Sequence, residues 1–290
     1  LLIKKFLPIT FISAVIAILK GYRYKLNQKN EYELNKNKKI AIFANSPSLP
    51  EDIKKLSDYN FIMGVNHLAD TNFFTDYKPT FYILQDYYFW DTNVSENYIH
   101  KRHVTFSNLN EKTDWHIDLF LPSFANLGYI KKVIKNKNIT IKVFNGFFAR
   151  NSQNIYPSIF KPSKLIIYLW KKNFLCPPPI NIACTALYLS SLLGFKSIYL
   201  FGCEMSYFKT LSVNSTNNRL FAKYKHFYGE VKVDLYKHKN NKAHSNMSFE
   251  LKKWAYIFEG FNNIAYYLKM QNVTVINCSA NSYLDCFIRK

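Results

Sequence analysis

Short apolar runs of strand length alternate with segments of helical periodicity from residue 39 onward, and this alternation constrains the fold more than any other feature. Several runs are apolar at every position, as is typical of strands that helices cover on both faces. Alternating strands and helices are typical of a parallel α/β sheet. We therefore predict one doubly wound, Rossmann-like α/β domain over residues 39–290 with a mainly parallel sheet. The predicted strands are 40–44, 61–65, 80–84, 104–107, 139–144, 197–201 and 273–277.

Two helices carry clear start and stop signals. In PPPINIACTALYLSSLLGFKSIYLF, the prolines end the preceding segment, Asn181 can cap a helix, and Gly194 can end it just before a strand. Further on, Ser245 or Ser248 can cap a long amphipathic helix that reaches Met270. We expect a further strand and a last helix to follow it.

Residues 206–243 differ from the rest of the domain, because they are polar, rich in lysine and tyrosine, and without a clear period. A loop of this length in a compact domain is usually a lid or a disordered segment. We therefore predict a lid, inserted in the α/β domain at about residues 206–243.

The amino-terminal stretch, LLIKKFLPITFISAVIAILKGYRYK, contains a 14-residue uncharged apolar run between basic flanks. A bilayer span needs about 20 apolar residues, and no small-residue cleavage site of a signal peptide follows the run. An interfacial membrane anchor and an ordinary core helix both remain open. The basic flanks favour the cytoplasmic face of an anionic membrane. We predict that residues 1–38 form a membrane-associating segment and a polar linker.

The charge of the chain is strongly positive, with 39 Lys and Arg against 19 Asp and Glu, a formal net charge of +20. Such a charge attracts polyanions: nucleic acid, anionic lipid or phosphorylated glycan. The abundance of Lys, Asn, Ile, Phe and Tyr is also what AT-rich codons produce, so the charge alone identifies no partner. A nucleic-acid-binding face would interleave lysines with aromatic residues. The lysines here are scattered, so we do not expect nucleic acid as a partner.

The cysteines and histidines show no metal-binding pattern. Five cysteines without a Cys-x-x-Cys pair, each among apolar neighbours, indicate reduced and buried thiols. The seven histidines form neither a His-Glu-x-x-His motif nor zinc-finger spacing. The chain also lacks the Asp-x-Asp pair with which many sugar-nucleotide enzymes hold a divalent ion. We therefore predict no metal and no cofactor.

Amide side chains follow the first three predicted strands: Asn45, Asn66 and Gln85. The carboxyl ends of parallel strands meet at one edge of a sheet, so three amides there predict a pocket floor for a base or a sugar. An Asx turn or a helix cap could explain each amide alone. Ser46 and Ser48 flank a proline in the turn after the first strand, and such a turn can present N–H groups to a phosphate.

Further candidates lie later in the chain. Gly202 and Glu204 follow the strand 197–201, and Glu204 either binds a ribose or acceptor hydroxyl or is a solvated acid. His244 precedes the predicted long helix, whose dipole favours the neutral imidazole that a general base requires; the alternative is a surface histidine. His67 is predicted to be an ordinary surface or core histidine. The lid tyrosines, which can donate hydrogen bonds to a phosphate, are Tyr207, Tyr224, Tyr228 and Tyr236.

Four motifs resemble those of one enzyme family, the bacterial sialyltransferases of glycosyltransferase family 42 from Campylobacter-type lipooligosaccharide synthesis. FANSPSL resembles their GNGPSL turn, and VNHLA is similar to their CNQFYF stretch. LGFKSIYLFGCE resembles LGYKEIYLSGID, and KAHSNMSFE is similar to the IGHSKN segment that holds the family's catalytic histidine. The order and spacing of the motifs agree over about residues 39–287.

The resemblance implies a variant of the GT-A fold and an inverting, metal-independent glycosyltransferase. It would move sialic acid or a related nonulosonate from a CMP-activated donor to a glycan acceptor such as a lipooligosaccharide. The same resemblance, with the basic amino terminus, implies a peripheral or monotopic protein on the cytoplasmic face of a bacterial inner membrane. The implied partners are the CMP-sugar, the glycan acceptor and the anionic membrane surface; a second copy of the chain is left open.

The resemblance also implies a role for each candidate residue. His244 would be the general base that deprotonates the acceptor hydroxyl. The lid tyrosines Tyr207 and Tyr224 would stabilise the departing CMP phosphate, a task that falls to the protein where no metal assists. The residues assigned to donor binding are Asn45, Ser46, Ser48, Asn66, Gln85, Gly202 and Glu204.

The chain departs from the family near the donor. Pro179 stands where the family has an arginine, and Ile182 and Ala183 replace a Ser-Gly pair. Ser206 occupies the position of the family's tyrosine after the third motif, and Tyr207 follows one residue later. These differences leave the identity of the donor sugar open.

Two other functions are compatible with the sequence. The strand-turn pattern also resembles the archaeal-type hydroxymethylpterin pyrophosphokinases, whose magnesium would need carboxylates, and Asp86 and Glu204 are the evident candidates. A non-enzymatic, basic polyanion-binding protein is the second alternative. The glycosyltransferase is the function that we expect.

Overall fold

The computed structural model describes residues 15–16, 18–20, 35–55, 58–148, 162–226, 229–238 and 241–289. Three short 3₁₀ helices cover Asn66–Asp70, Tyr87–Phe89 and Tyr207–Thr210. The strands and α-helices are β1 (Lys39–Phe43), α1 (Leu49–Ile53), β2 (Phe61–Val65), α2 (Asn72–Tyr77), β3 (Phe81–Ile83), α3 (Glu96–Lys112), β4 (Ile117–Pro122), α4 (Leu127–Val133), β5 (Ile139–Phe144), α5 (Lys164–Lys171), α6 (Ile182–Leu192), β6 (Ser197–Phe201), β7 (Ser212–Val213), β8 (Leu220–His226), β9 (Gly229–Asp234), β10 (Tyr236–His238), β11 (Asn241–His244), α7 (Met247–Met270), β12 (Thr274–Asn277) and β13 (Ile288–Arg289).

The central sheet has eight strands in the order β13-β12-β6-β1-β2-β3-β4-β5. All of its neighbouring strands pair in parallel. The chain builds the sheet outward from β1 to β5 and then returns to place β6 on the other side of β1, where Ile40 pairs with both Phe61 and Ile198. This arrangement confirms the predicted doubly wound, Rossmann-like α/β fold. Its topological switch point lies between β1 and β6.

Helices cover both faces of the sheet. In β1, Ile40 and Ile42 belong to the cluster that includes residues of α5, α6 and α7, whereas Ala41 and Phe43 belong to the cluster with α1–α4. All four side chains are fully buried. This is why the strands are apolar on both faces, and why polar chemistry is confined to the strand ends.

Most predicted strands are confirmed, but the prediction at 104–107 is wrong. That segment lies inside α3, whose buried residues Arg102, Thr105, Phe106 and Leu109 recur at helical spacing. A short run of β-branched and aromatic residues cannot be told from a buried helix segment by periodicity alone. The true fourth strand, β4, was missed because the half-buried Asp118 interrupts its apolar run.

The predicted lid contains more regular structure than its sequence indicates. Within the described part of 206–243, β7, β8 and β9 form an antiparallel sheet, and β10 pairs with β11. Leu220, Ala222 and Leu235 form a small buried cluster, against which Leu211 packs. Residues 227–228, including the predicted Tyr228, lie outside the described residues.

The predicted ends of the long helices are partly right. Asn181 caps α6, since its side chain accepts from the Ala183 N–H at 2.8 Å, and α7 ends at Met270 as predicted. The cap of α7 is Asn246, however, whose side chain accepts from the Phe249 N–H at 2.9 Å. Neither predicted serine caps it. The predicted last helix is also wrong, because residues 280–287 form a turn, an irregular stretch and a bend that lead into the short strand β13.

Much of the predicted segment 1–38 lies outside the described residues. Within the described part, Ile18 packs against the hydrophobic core, while Leu19 is exposed. Asn35 is buried, and its Nδ2 donates to the Leu193 carbonyl at 2.9 Å. Among the described helices, none is both long enough and apolar enough to cross a membrane. Membrane association stays a prediction.

Candidate functional site

The structure brings the predicted amides together at the carboxyl edge of the sheet. Asn66 follows β2, and its Nδ2 donates to Asp86 Oδ2 at 2.9 Å. The Gln85 backbone N–H, beyond β3, donates to Asn66 Oδ1 at 3.3 Å. Asn45 follows β1, and its Nδ2 lies 3.4 Å from the Val65 carbonyl. Asn66 has a φ of +45°, a left-handed conformation that asparagine adopts more readily than most residues.

The side chain of Gln85 has an unused acceptor. Gln85 is only 9% exposed, and its Nε2 donates to the Pro179 carbonyl at 3.1 Å. Its Oε1 is buried and has no hydrogen-bond partner among the described residues. Leaving a buried polar atom unsatisfied costs about 1–3 kcal/mol, so an observed case calls for an explanation such as a ligand. Because Pro179 holds the amide nitrogen, the carbonyl oxygen is the atom that remains for a ligand donor.

The switch point between β1 and β6 is closed by hydrogen bonds. The Ser46 N–H donates to the Gly202 carbonyl at 2.9 Å, and Ser46 Oγ accepts from the Glu204 N–H at 3.1 Å. Gly202 has a φ of +64°, and a Cβ there would lie 2.8 Å from the Ala44 carbonyl oxygen. Glycine is therefore required for this close approach. The turns that follow β1 and β6 form one unit where α/β folds bind ligands.

The groups predicted to bind phosphate and hydroxyl in this unit already have protein partners. Glu204 Oε1 accepts from the Ser48 N–H at 2.7 Å, and Glu204 Oε2 accepts from Ser206 Oγ at 3.0 Å. Ser48 Oγ donates to Asp52 Oδ2 at 2.7 Å. A ligand could use Ser48 or Glu204 only by exchanging these bonds. Their donor-binding roles stay predictions, while the structure shows them joining the turns.

Asp52, which we did not predict, organises this unit. It is fully buried. Besides the Ser48 hydroxyl, it accepts the Gly202 N–H at 3.1 Å and the Ala280 N–H at 2.8 Å. The carboxylate thus joins the segments after β1, β6 and β12. In the sequence it looks like an ordinary acid in the first turn of a helix, so no local signal distinguishes it.

Cys203, between Gly202 and Glu204, is a buried thiol. Burial raises the pKa of its thiol to about 12. A thiol with such a pKa holds almost no thiolate at neutral pH, and thiolate is the reactive form. All five cysteines are free, as predicted, and four of them are buried; Cys286 is only half-buried, so the prediction of burial is wrong for that residue.

His244 is the last residue of β11, two positions before the cap of α7. Its ring stacks on Tyr236 with the centroids 4.7 Å apart. Its Nδ1 is buried and has no hydrogen-bond partner in the described part of the chain. Within those residues, no hydrogen bond joins it to the strand-end amides. The predicted position just before a helix is confirmed, and the role as general base stays a prediction.

Of the two tyrosines predicted to be catalytic, the structure describes the side chain of Tyr207 but not that of Tyr224. Tyr207, half-buried in the 3₁₀ helix after β6, has its ring centroid 6.3 Å from that of Trp254 on α7. Trp254 was not predicted; it is 8% exposed, and its Nε1 has no partner among the described residues. An aromatic residue on a helix normally indicates core packing, so the sequence contains no signal for this atom. Tyr224 lies in β8, and its side chain falls outside the described residues.

Two comparisons bear on identity. No known protein-family model matches the sequence, and no curated protein is significantly similar to it. No cluster of three or more His, Cys, Asp or Glu side chains suited to a metal ion occurs in the parts of the chain that the structure describes.

Proposed function

We propose that the protein is a glycosyltransferase that moves sialic acid or a related nonulosonate from a CMP-activated donor to a cell-surface glycan. The observation that carries the proposal is the buried Gln85 carbonyl without a partner among the described residues, beside the bonded pair of Asn66 and Asp86. Cytosine presents an amino group as a hydrogen-bond donor. A fixed carbonyl acceptor suits that group, and it suits a ribose or sugar hydroxyl as well.

The location of these residues supports a nucleotide as the ligand. In open parallel α/β sheets, ligands bind outside the carboxyl ends of the strands at the topological switch point. Asn45 and Ser46 lie there, and Asn66 and Gln85 continue the same edge over β2 and β3. The four motifs that resemble family 42 sialyltransferases also support the proposal, and two of them contain Asn45, Ser46 and Asn66.

In the proposed reaction, His244 removes the proton from the acceptor hydroxyl while that oxygen attacks the anomeric carbon of the donor. The bond from this carbon to the CMP phosphate oxygen breaks on the opposite side, and CMP leaves with the electron pair. The configuration at the carbon is therefore inverted. Tyr207 and Tyr224 would donate hydrogen bonds to the phosphate as its charge develops. The step requires neither a metal nor a cofactor.

The lid adds a second part to the proposal. Its strands β7–β11 lie in the chain between β6, which ends at the site, and α7, which follows His244. Closure of such a segment over a bound donor would exclude water and limit wasteful hydrolysis. The net charge of +20 suits an anionic membrane surface and a phosphorylated glycan acceptor. We accordingly place the protein at the cytoplasmic face of a bacterial inner membrane.

The pyrophosphokinase alternative has less support. Asp86 and Glu204, its candidate magnesium ligands, are engaged by Asn66 and by Ser48 and Ser206. A magnesium ion there would have to displace these donors. A non-enzymatic polyanion-binding protein would use exposed cationic side chains and would not explain the buried Gln85 acceptor.

Calorimetric titration of the purified protein with CMP in EDTA tests the proposal, with UMP and GTP as controls. We expect CMP to bind without metal and more tightly than UMP, because uracil presents an acceptor where cytosine presents a donor. Gln85→Ala should weaken CMP binding, whereas Gln271→Ala, at the end of α7, should not. Absence of CMP binding, or binding of nucleotides only with magnesium, would contradict the proposal.

A further inference from the structure

A chain of polar side chains lies directly behind Asn66. His67 Nδ1 is 2.9 Å from Asp70 Oδ2, and His67 Nε2 is 2.6 Å from the Tyr88 hydroxyl. The His67 and Asp70 side chains are 12% and 20% exposed, and Tyr88 is 7% exposed. A carboxylate, an imidazole and a phenol therefore form a connected series in the protein interior. We call Asp70, His67 and Tyr88 the relay.

Helix α3 supports the carboxylate end of the relay. The Thr105 hydroxyl donates to Asp70 Oδ2 at 3.0 Å, and Asn108 Nδ2 donates to Asp70 Oδ1 at 3.2 Å. His67 Nδ1 also lies 2.9 Å from the Thr105 hydroxyl. The ring therefore has hydrogen-bond partners at both nitrogens, and these partners fix its orientation.

The relay connects the two segments that carry the site. His67 directly follows Asn66 in the 3₁₀ helix after β2, and Tyr88 lies three residues after Gln85 in the 3₁₀ helix after β3. The hydrogen bonds from Asn66 to Asp86 and from Gln85 to Asn66 join the same two segments at the sheet edge. The segments are also joined by the pairing of β2 with β3 and by the Tyr82 hydroxyl, which bonds to the Asn66 carbonyl and the Ala69 N–H. The relay adds side-chain bonds beyond the ends of the two strands, where the ladder no longer holds the backbone.

We propose that Asp70, His67 and Tyr88 are positioning residues that hold Asn66 and Gln85 in their ligand-binding arrangement. The partners of His67 come from different segments, Asp70 from its own 3₁₀ helix and Tyr88 from the one after β3, so its bonds join the segments that carry Asn66 and Gln85. The relay touches no ligand in this proposal and acts through the backbone of Asn66 and Gln85. The part that concerns nucleotide affinity rests on the proposed function.

The first experiment needs no ligand. The chain has only four glutamines, at positions 28, 85, 153 and 271, so protein labelled with ¹⁵N-glutamine yields four backbone amide resonances. The Gln85 amide, assigned by its loss in Gln85→Glu, donates to Asn66 Oδ1 and reports on that side chain. We expect its resonance to shift in Tyr88→Phe and in Asp70→Asn. The matched control Tyr77→Phe removes a hydroxyl from α2 that is outside the relay, and should leave the resonance in place.

The second experiment measures CMP affinity and thermal unfolding of the same variants. Tyr88→Phe removes one oxygen from one hydrogen bond, so we expect CMP binding to weaken about threefold to tenfold. In a transfer assay the loss should appear in KM for the donor, with kcat little changed, because the relay sets binding geometry rather than proton transfer. The Tyr77→Phe protein should bind CMP like the wild type.

The outcomes separate the relay from the proposed function. If the Gln85 resonance shifted in neither relay variant, the positioning role would be overturned. If the resonance shifted but CMP affinity stayed the same, the claim that the relay contributes to nucleotide binding would be overturned. The contribution of the relay to binding would also be contradicted if Tyr88→Phe lost no more CMP affinity than the control Tyr77→Phe. If the wild-type protein bound no CMP, the proposed function would fail, while the resonance experiment would still decide whether the relay positions Asn66.

Discussion

At the residue scale, the buried polar atoms are the most informative feature of this protein. Gln85 Oε1, His244 Nδ1 and Trp254 Nε1 are all buried without a hydrogen-bond partner among the described residues. Asp52 shows the opposite case, a buried carboxylate whose donors come from several segments. An atom of the first kind can accept or donate a further hydrogen bond, whereas Asp52 joins segments that are distant in the sequence. Only the contacts in the structure distinguish the two kinds, since both are ordinary polar residues in the sequence.

His244→Ala should abolish sugar transfer while CMP affinity stays within about twofold of the wild type. General acid–base catalysis contributes about 10²–10⁴-fold to a rate, and His244 makes no described contact with the strand-end amides that we assign to the nucleotide. Transfer would be followed by release of CMP, and affinity by calorimetry. His116→Ala is the matched control, because His116 lies just before β4 and is mostly exposed. Retained transfer, or lost CMP binding, would count against His244 as the base.

At the element scale, the close packing of α7 against the proline-rich loop before α6 supports one wall of the site. Gly260, in the middle of α7, lies against Ile180, the residue that follows Pro179. Pro179 in turn accepts the hydrogen bond from Gln85. The loop therefore contacts both α7, on one face of the sheet, and the side-chain amide of Gln85 at the end of β3.

Gly260→Ala should destabilise the protein by up to about 2 kcal/mol, because overpacking usually costs about 1–3 kcal/mol and the better helix propensity of alanine offsets about 1 kcal/mol of it. A Cβ at this position would lie 1.6 Å from Ile180 Cδ1 and 2.9 Å from its Cγ1, so that side chain must move. Urea unfolding would give the free-energy change.

The loss should shrink when Ile180→Ala is combined with Gly260→Ala, because the obstructing atoms are then absent. Gly128→Ala in α4 is the control, since its nearest contact would be Asn126 Oδ1 at an ordinary 3.5 Å. If Gly260→Ala were as stable as the wild type, the proline-rich loop with Ile180 would be able to move without lowering the free energy of unfolding.

At the scale of the whole molecule, the buried ionisable side chains determine how stability depends on pH. Burial raises the pKa of Cys203 and Cys286 to about 12 from 9.0, and that of Tyr267 to about 12 from 10.0. Burial also raises the pKa of Cys176, Cys184 and Tyr188. These six groups are therefore neutral in the folded protein at physiological pH.

Stability should therefore fall between about pH 9 and pH 12. The folded-state pKa values are raised, so the unfolded chain loses these protons first as the pH increases. Below pH 9 the neutral forms contribute their full stabilisation. Above pH 9, each group that is deprotonated in the unfolded chain but not in the folded protein lowers the free energy of unfolding by up to about 1.4 kcal/mol per pH unit. Urea midpoints from pH 8 to pH 11 would measure the slope, and Cys203→Ala should reduce it. A midpoint that does not change over this range would contradict the burial of these thiols.

The sequence by itself determined the fold class and most of the sheet. Strands such as 61–65, 139–144 and 197–201 were predictable because both of their faces are buried, which leaves a continuous apolar run. The error at 104–107 and the missed β4 arose where length and pattern were ambiguous, because tertiary burial decided between helix and strand. The small sheets of the lid were not predictable, since short antiparallel strands of mixed polarity have no distinctive period.

For the site, the sequence indicated Asn45, Asn66 and Gln85 because the ends of parallel strands must share an edge. It could not show that β6 returns beside β1, nor that Glu204 and Ser48 already bind each other. It also could not single out Asp52 or the relay, whose members are ordinary polar residues along the chain. Local pattern determines the strands that are buried on both faces, but a hydrogen bond between residues 150 positions apart, such as Gly202 N–H to Asp52, exists only once the sheet order brings them together.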